Sequence, residues 1–521
     1  MTLIIIHYHL RPGGIRRVIE LATPHICRHL DRINRVIIAC GEARDGEWRK
    51  HFTKQLRSLP VHFFVHRAFG YFSEHGASAG KFRASVAASL NRLLNGLTGE
   101  TAIVWAHNLG IGRNLILADE LVQACQWRDI PLISHHHDWW FDNRWPRWKD
   151  IRRSGIQSLD EIGEIIFPAE PVVRHAAINF ADASVLKRYF GEQSGWLPNP
   201  ASDGKAVHPA DERKTRRWLD EQVGNSGAPI WILPARLLRR KNIAEALLLA
   251  RWLRPDAWLI TTGGPSSRDE IAYYEKLNDA VRKHDWHLEL GVLAGGNSNK
   301  PSVADLIAAS ECVMLTSIQE GFGLPYLEAA AAKRPLIARS LPNIKPDLAR
   351  FGFRFPQYYD EVMVDTRLFD WENEQARQRE KFSRWCGHLP RIVQGLITKP
   401  PIVAARKRLR AVPFSHLTMD AQIEVISQPA DYSWKLCAPL NRFLRAWKQR
   451  AASKRLQVTR WPKTADQFLS GQAYAERFAR LLTAQGTAHL DKPTGRAAHR
   501  EFIRKKLAEG NTYPLLWDSN V

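Results

Sequence analysis

The chain has 521 residues, too many for one ordinary hydrophobic core, and its 45% hydrophobic and 25% charged residues are the balance of a globular protein. No apolar run reaches the length of a membrane-spanning helix, and the apolar start of the chain lacks the basic region and cleavage site of a signal peptide. The six cysteines are scattered without a C-x-x-C pair. This argues against a zinc ribbon and indicates a reducing compartment, so we expect a cytoplasmic protein.

Because the net charge is +22, we expect an anionic partner. Nucleic acid, an anionic membrane surface and small anionic ligands can all exploit such a charge. The basic groups lack the interleaved aromatic and glycine pattern of an RNA-binding module, so we expect no nucleic acid. Peripheral membrane contact and a homodimer stay open.

Strands and helices alternate through the first 200 residues. Apolar strands are predicted at 2–6, 35–40, 61–66, 101–110 and 131–140, and helices at about 79–97 and 113–128. This alternation predicts a parallel, doubly wound sheet, whose ligands bind outside the carboxyl ends of the strands. A polar, turn-rich segment at 202–229 then predicts a domain boundary.

Glycines and polar side chains follow three of these strands. Gly13 and Gly14 can bring backbone N–H groups to a phosphate at the start of a helix. His107 and Asn108 end the fourth strand, and the run HHHD at 135–138 ends the fifth. His135 and His137 share one face because side chains alternate along a strand. Two histidines and an aspartate can bind a metal, but spacing places no further ligand, and we expect none.

Four tryptophans follow the histidines, at positions 139, 140, 145 and 148. Aromatic faces stack on sugar rings, so the stretch is a candidate region for binding a sugar-like acceptor, the molecule to which a group would be transferred. The predicted acceptor residues are His107, Asn108, Asp138, Trp139 and Trp140. The alternative is a packed aromatic loop, and we expect that role for at least half of the tryptophans.

In the second half, the strand IWILPA delivers Arg236, and a short loop delivers Lys241 before a helix. Cations are unfavourable at the positive end of a helix dipole. An anionic ligand would explain why Arg236 and Lys241 lie there. Phosphate suits both residues, because charge-assisted contacts to it are strong. Gly263 lies in a glycine turn after the next strand.

The stretch TSIQEGFGLPYLEAAAA at 316–332 is a strand end, a glycine loop and a helix start. Gly321 and Gly323 allow a tight turn, and the free N–H groups of the helix start can bind a diphosphate. Glu320 in the loop and Glu328 in the helix can accept hydrogen bonds from hydroxyls, since an ionised carboxylate only accepts. Sugar hydroxyls at both ends and an anion between them describe a nucleotide-sugar.

EGFGLPYLEAAA resembles the E-x7-E signature of retaining glycosyltransferases with the GT-B fold, in particular family 4 (group 1). Arg236 and Lys241 resemble the R-x4-K element of that family. The resemblance covers roughly residues 1–350. It implies an α/β fold with two Rossmann-like, doubly wound domains facing a cleft: an acceptor-side domain at 1–205 and a nucleotide-sugar-binding domain at 226–355. Beyond it, amphipathic segments predict a helical C-terminal extension at 356–521.

The resemblance also implies roles for single residues. His137, with His135 as the alternative, lies beside the donor sugar together with Glu320. Arg236 and Lys241 meet the diphosphate, and Glu328 meets the ribose. The implied donor contacts are Gly13, Gly14, Gly263, Gly321, Phe322, Gly323 and Leu324.

The implied activity is that of a retaining hexosyltransferase. It moves a hexose from a UDP-, GDP- or ADP-type nucleotide-sugar to a hydroxyl acceptor, either a small metabolite or a saccharide. No cofactor and no bound metal are expected. Two alternatives remain: a GT-B glycoside phosphorylase, and a non-catalytic binding protein that acts through its basic helical tail.

Overall fold

The computed structural model describes residues 1–57, 59–97, 101–204, 208–265, 268–295, 300–484 and 490–517. The chain divides into two compact units, each built around one parallel sheet. Unit 1 comprises Met1–Ala201, His388–Leu396 and Lys463–Ala508, and unit 2 comprises Ser202–Gly387, Ile397–Pro462 and Glu509–Val521. The predicted α/β class with two doubly wound sheets is therefore confirmed. The domain boundary predicted between 205 and 226 begins at residues 205–207, which lie outside the described residues.

The sheet of unit 1 has seven parallel strands among the described residues. They are β1 (Thr2–Ile6), β2 (Arg35–Cys40), β3 (Val61–Val65), β4 (Ala102–His107), β5 (Leu132–His136), β6 (Val173–Ala177) and β7 (Ser194–Trp196). Their order is β3-β2-β1-β4-β5-β6-β7. The helices between them are α1 (Gly14–His29), α2 (Gly46–Gln55), α3 (Ala79–Asn95), α4 (Leu115–Trp127), α5 (Arg147–Arg153), α6 (Leu159–Ile166) and α7 (Phe180–Phe190).

Strand β1 shows why the central strands of unit 1 are apolar on both faces. Leu3 and Ile5 pack into one hydrophobic core, and Ile4 and Ile6 pack into a second core on the other side of the sheet. Alternate side chains of a strand point to opposite faces, and helices cover both faces here. A continuous apolar run such as LIII is the result.

Unit 2 repeats the pattern with six parallel strands in its described part. They are β8 (Ile230–Arg236), β9 (Trp258–Gly263), β10 (Leu288–Glu289), β11 (Cys312–Leu315), β12 (Leu336–Arg339) and β13 (Gln357–Tyr359). Their order is β10-β9-β8-β11-β12-β13. The helices are α8 (Pro209–Val223), α9 (Ile243–Leu253), α10 (Arg268–His284), α11 (Val303–Ala309), α12 (Leu324–Ala331) and α13 (Lys345–Phe351). A short antiparallel pair, β14 (Met363–Asp365) and β15 (Ala411–Pro413), follows.

The C-terminal region is helical, as predicted, but its helices do not form a unit of their own. They are α14 (Trp371–Gly387), α15 (Arg391–Gln394), α16 (Pro401–Ala404), α17 (Met419–Ser427), α18 (Ala430–Cys437), α19 (Arg442–Ala452), α20 (Asp466–Leu469), α21 (Gly471–Thr483) and α22 (Lys492–Lys506). Helices α17, α18 and α19 pack on α9 in unit 2, whereas α21 packs on α1 and α22 on α6 and α7 in unit 1.

Packing explains this division of the C-terminal helices. The sequence of α9, IAEALLLARWL, is apolar nearly all round, so it needs cover on its outer side as well as from the sheet. In unit 1, Tyr474, Phe478 and Leu481 of α21 complete the core that contains Leu3 and Ile5. Within the described part of the chain, no helix combines the length and the apolar character needed to cross a membrane.

Candidate active site

At the carboxyl edge of the unit 2 sheet, Glu320 lies at the centre of a cluster of charges. Lys241 Nζ pairs with Glu320 Oε1, and Arg240 Nη1 lies 2.8 Å from Glu320 Oε2. Ser317 Oγ donates a third hydrogen bond to Oε1 at 2.7 Å. Strands β8 and β11 are neighbours in the sheet, so the loops after them bring Lys241 and Glu320 together. Lys241 and Glu320 are two of the four residues predicted as catalytic.

The protonation of Glu320 follows from its surroundings. Burial alone would raise the pKa of this carboxyl group, but the charges of Lys241 and Arg240 outweigh burial and hold the pKa at about 2. Glu320 is therefore ionised at neutral pH. A buried carboxylate fixed by three donors can only accept further hydrogen bonds, which suits the hydroxyls of a neutral ligand.

The loop after Glu320 leads directly into α12. Gly323 has a φ of 77°, and a Cβ there would lie 2.7 Å from the Tyr326 ring, so only glycine fits. Gly321 and Leu324 are partly exposed, whereas Phe322 is buried and packs near Phe351. Glu328 is exposed on the helix.

Arg236 and Gly263 form the neighbouring part of this edge. Arg236 ends β8 with an exposed side chain, and it pairs in register with Gly263 at the end of β9. A Cβ on Gly263 would lie 2.7 Å from Arg236 Cγ. Glycine at 263 thus lets the arginine side chain cross the end of β9.

In unit 1, the histidines at the ends of β4 and β5 converge. His107 Nδ1 and His137 Nε2 are 3.0 Å apart, and one neutral imidazole donates to the other. His135 lies beside both, with ring centres 4.3 Å from His137 and 5.4 Å from His107. His136 points to the opposite face, where it stacks on Trp139 and His175. His135 and His137 share a face even though β5 ends at His136.

These histidines are neutral, and their nitrogens lie close enough together for one metal ion. Burial lowers the pKa of His135 to about 3 and lowers the pKa values of His107 and His137 well below 6.5. One ring nitrogen from each residue lies within 4.8 Å of the others. His107 contributes the third ring nitrogen of this group, which spacing alone did not place. The expectation of no bound metal stays a prediction.

Asn108 organises the loop that follows β5. It has a φ of 63°, and its Oδ1 accepts hydrogen bonds from the backbone N–H groups of His137 at 3.2 Å and Asp138 at 2.9 Å. Asp138 is partly exposed and pairs with Arg144 at 3.2 Å. Gly13 and Gly14 are exposed at the start of α1, and a Cβ on Gly14 would meet nothing within 4 Å. Their predicted contact with a phosphate stays a prediction.

The prediction that Trp139 and Trp140 contact the acceptor is corrected by their burial. Both side chains are at most 1% exposed, and so is Trp145. Trp139 Nε1 donates to Asp182 at 2.8 Å, and Trp140 Nε1 donates to His499 of α22 at 3.2 Å. Their faces are taken up by packing and cannot stack on a sugar. The packed-loop alternative describes them correctly.

The sequence interpretation missed three arginines that the structure places at these two edges. Arg240 lies between the two residues of the predicted R-x4-K element, and its contact with Glu320 depends on β8 and β11 being neighbours. Arg113 follows β4, and Arg147 begins α5 after β5. The available signal was that each arginine lies after a strand, at or before the start of the next helix.

Part of the chain is similar to a known protein family. Residues 215–353 match the family described as glycosyl transferases group 1. This range contains all of the unit 2 residues described above. Two relatives come from Petrotoga mobilis: a mannosylglucosyl-3-phosphoglycerate synthase, 26% identical over 400 residues (75% of this chain, 73% of that protein), and a mannosylglucosylglycerate synthase, 24% identical over 266 residues (47% and 60%).

A solved structure shows the same fold over nearly the whole chain. HepE from Anabaena, determined with UDP and glucose, is 14% identical with a TM-score of 0.50, covering 93% of this chain and 99% of that one. At this identity the similarity concerns the fold alone. The class of enzyme follows from the family match and the two synthases. The chain is accordingly a glycosyltransferase with the GT-B fold, and its residues 215–353 are similar to group 1.

Proposed function

We propose that this glycosyltransferase moves a hexose from a nucleoside-diphosphate sugar to a hydroxyl of a small metabolite or saccharide, with retention of the anomeric configuration. The carrying observation is the ionised Glu320, held by Lys241, Arg240 and Ser317 in the loop before α12. The cluster lies within the part of the chain that matches group 1. Mannose is the first hexose to test, because the names of both relatives contain a mannosyl group.

Each residue of the proposed donor site has a separate task. Arg236 and Lys241 neutralise the diphosphate, since charge-assisted contacts to phosphate are strong. Glu320 accepts hydrogen bonds from the sugar hydroxyls, with His137 beside the sugar. Glu328, exposed on α12, accepts from the ribose hydroxyls. No cofactor is required, and the protein works in the cytoplasm, where its six free cysteines stay reduced.

The proposed reaction needs no covalent intermediate. The acceptor oxygen forms a bond to C1 of the sugar on the face from which the diphosphate departs, and the bond from C1 to the diphosphate oxygen breaks. The acceptor proton passes to the departing phosphate oxygen. Positive charge near that oxygen stabilises the transition state, and this is the main contribution of Arg236 and Lys241.

Thermal unfolding with a panel of ligands tests the proposal: UDP, GDP, ADP, their sugars, sugar 1-phosphates and phosphate. A ligand at a hundred times its Kd adds about 2.7 kcal/mol of stability. We expect one nucleotide to raise the Tm, and Arg236→Ala and Glu328→Ala to abolish the rise. Glu311→Gln is the matched control, because Glu311 precedes β11 at the opposite end of the strand and pairs with Arg254 at 3.8 Å.

Other outcomes of the panel select other functions. A Tm rise with a sugar 1-phosphate but with no nucleotide would favour the glycoside phosphorylase. If no ligand raises the Tm, the donor site as proposed is wrong. Once a donor is identified, the anomeric configuration of the product, read by NMR, decides between retention and inversion.

A further inference from the structure

Two arginines at the carboxyl edge of the unit 1 sheet lack a carboxylate partner in the part of the chain that the structure describes. Arg147 Nη1 donates to the backbone oxygen of Ile111 at 2.7 Å, and the Arg113 guanidinium lies 4.9 Å from the centre of the Tyr71 ring. Both side chains are partly buried. Within the described residues, neither guanidinium forms an ion pair with Asp or Glu. Their positive charge is therefore not neutralised by the protein.

The surroundings of Arg147 add more positive charge than negative charge. Burial, then the charges of Arg113 and Arg144, lower the pKa of Arg147, and Asp138 opposes this only weakly. Asp138 is engaged by Arg144 at 3.2 Å. Like charges held together and partly shielded from water are unfavourable unless a counter-charge joins them. An anionic ligand would provide that counter-charge.

The position of the two arginines is that of a ligand site. Arg113 follows β4 and Arg147 follows β5, and ligands of parallel sheets bind outside the carboxyl ends of the strands. Both residues line one open pocket, together with Ser73, Gly112 and Ser154. Asp150 also lines it, but this carboxylate pairs with Arg153 at 3.4 Å. The exposed Ser73 hydroxyl can donate a hydrogen bond to an anion, whereas the Ser154 hydroxyl already donates to the backbone oxygen of Ile151 at 2.6 Å.

We infer that the acceptor carries a carboxylate or phosphate group, and that Arg113 and Arg147 bind this group. Arginine is the suitable residue, because its planar fork gives two parallel hydrogen bonds to either anion. The inference deepens the proposed function, on which it rests, by giving the acceptor a chemical class. The donor diphosphate has its own candidate cations in unit 2, Arg236 and Lys241, so the arginines of unit 1 remain for the acceptor.

Binding of inorganic phosphate tests the arginine site directly. We expect phosphate to raise the Tm of the full chain, and Arg113→Met or Arg147→Met to raise the half-saturating phosphate concentration about tenfold, as the loss of one charge-assisted contact does. Arg152→Met is the matched control, since Arg152 is exposed on α5 beside Arg147. The same titrations in the Arg236→Ala background remove phosphate bound at the donor site, and the tenfold weakening by Arg113→Met or Arg147→Met should persist there.

Two results of the phosphate experiment would overturn the inference. One is a Tm that phosphate does not raise, and the other is a rise that both methionine variants keep. Arg147→Lys guards against a folding defect, because it keeps the charge and packing but loses the fork. It should bind phosphate with intermediate strength.

Once the donor is identified, the rate of transfer is compared between acceptors that differ by an anionic group. The pairs are glycerate with glycerol, glucose 6-phosphate with glucose, and glucuronate with glucose. We expect a higher rate with the acid or phosphate member, and loss of the preference in Arg113→Met and Arg147→Met; a preference for the neutral members would refute the inference. Failure of the nucleotide panel would instead count against the proposed function, while the phosphate response at the arginines would still stand.

Discussion

The carboxyl edges of the two sheets differ in whether their cations are paired with carboxylates. In unit 2, Arg240 and Lys241 are both paired with Glu320. In unit 1, Arg113 and Arg147 have no carboxylate partner among the described residues, and the neighbouring histidines are neutral. A paired cluster holds its side chains in place before any ligand arrives, which suits a site of chemistry. An unpaired cluster needs its ligand as counter-charge, which suits recognition of an anion.

Removing the charge of Glu320 should have the largest effect, because it disrupts the paired cluster of unit 2. Glu320→Gln leaves Lys241 and Arg240 without their counter-charge and weakens the acceptor for sugar hydroxyls. We expect the transfer rate to fall about 100- to 1,000-fold, the usual effect of losing one positioned polar group. Initial rates measure it, with Glu311→Gln as the control. A folded Glu320→Gln protein with nearly normal rates would show that the cluster is structural.

Reversing a charge in unit 1 should act on binding rather than on chemistry. Arg147→Glu places a negative charge beside the proposed anion site, so we expect the KM for the acceptor to rise about 10- to 100-fold with a smaller change in kcat. The KM for the donor should stay within about twofold. Steady-state kinetics with both substrates varied provides the measurement. If the donor KM rises instead, Arg147 belongs to the donor site.

The pH dependence of stability should differ between the two edges. Burial lowers the pKa of His135 to about 3, against about 6.5 in the unfolded chain. Below pH 6.5 the unfolded chain binds more protons, so stability falls as the pH falls from 6.5 towards 3. The pKa of Glu320 is about 2, against 4.5 when unperturbed, so its contribution is lost only between those values.

Urea unfolding at several pH values between about 7 and 5 measures this difference. We expect His135→Gln to remove about 1.4 kcal/mol per pH unit from the slope below pH 6, which is the linkage of one proton. Glu320→Gln should leave the slope in this range unchanged. Equal slopes for wild type and His135→Gln would mean that His135 is protonated in the folded protein.

Removal of metal ions should have the smallest effect. His107 and His137 hydrogen bond to each other at 3.0 Å, and a shared metal ion would have to replace that bond. We expect EDTA to change the transfer rate by less than about twofold, since the proposed chemistry relies on Arg236 and Lys241 for charge stabilisation. The three histidines would instead be a metal site if EDTA abolished activity and Zn²⁺ restored it. In that case Zn²⁺ should fail to restore the activity of the His107→Gln variant.

The sequence predicted elements best where local pattern decides structure. The bounds of β1 and β2 agree with the predicted 2–6 and 35–40, because both are apolar runs with polar neighbours. The fifth strand was predicted to reach residue 140 but ends at His136. Trp139 and Trp140 beyond it are apolar, yet they lie in a loop that includes Asn143 at a φ of 55°. Hydrophobicity alone cannot separate a buried loop from a buried strand.

Contacts between distant segments were beyond the sequence. Motif spacing named Lys241 and Glu320 separately, but the pairing of both Lys241 and Arg240 with one carboxylate follows from strand order. Amphipathic segments predicted that the C-terminal region is helical, but they carry no information about which sheet each helix covers. The lack of a carboxylate partner for Arg113 and Arg147, among the described residues, likewise depends on where each acidic residue lies in the fold.

The interleaving of the two units has a consequence for biosynthesis. The strands of unit 1 leave the ribosome about 300 residues ahead of α21 and α22, which complete its packing. At translation speeds of 5–20 residues per second, this delay is roughly 15–60 s. Throughout that interval the face that carries Leu3 and Ile5 lacks Tyr474 and Phe478, and it offers apolar surface to chaperones or to other nascent chains. A fragment ending near residue 201 would keep that surface permanently, so unit 1 cannot be obtained by simple truncation.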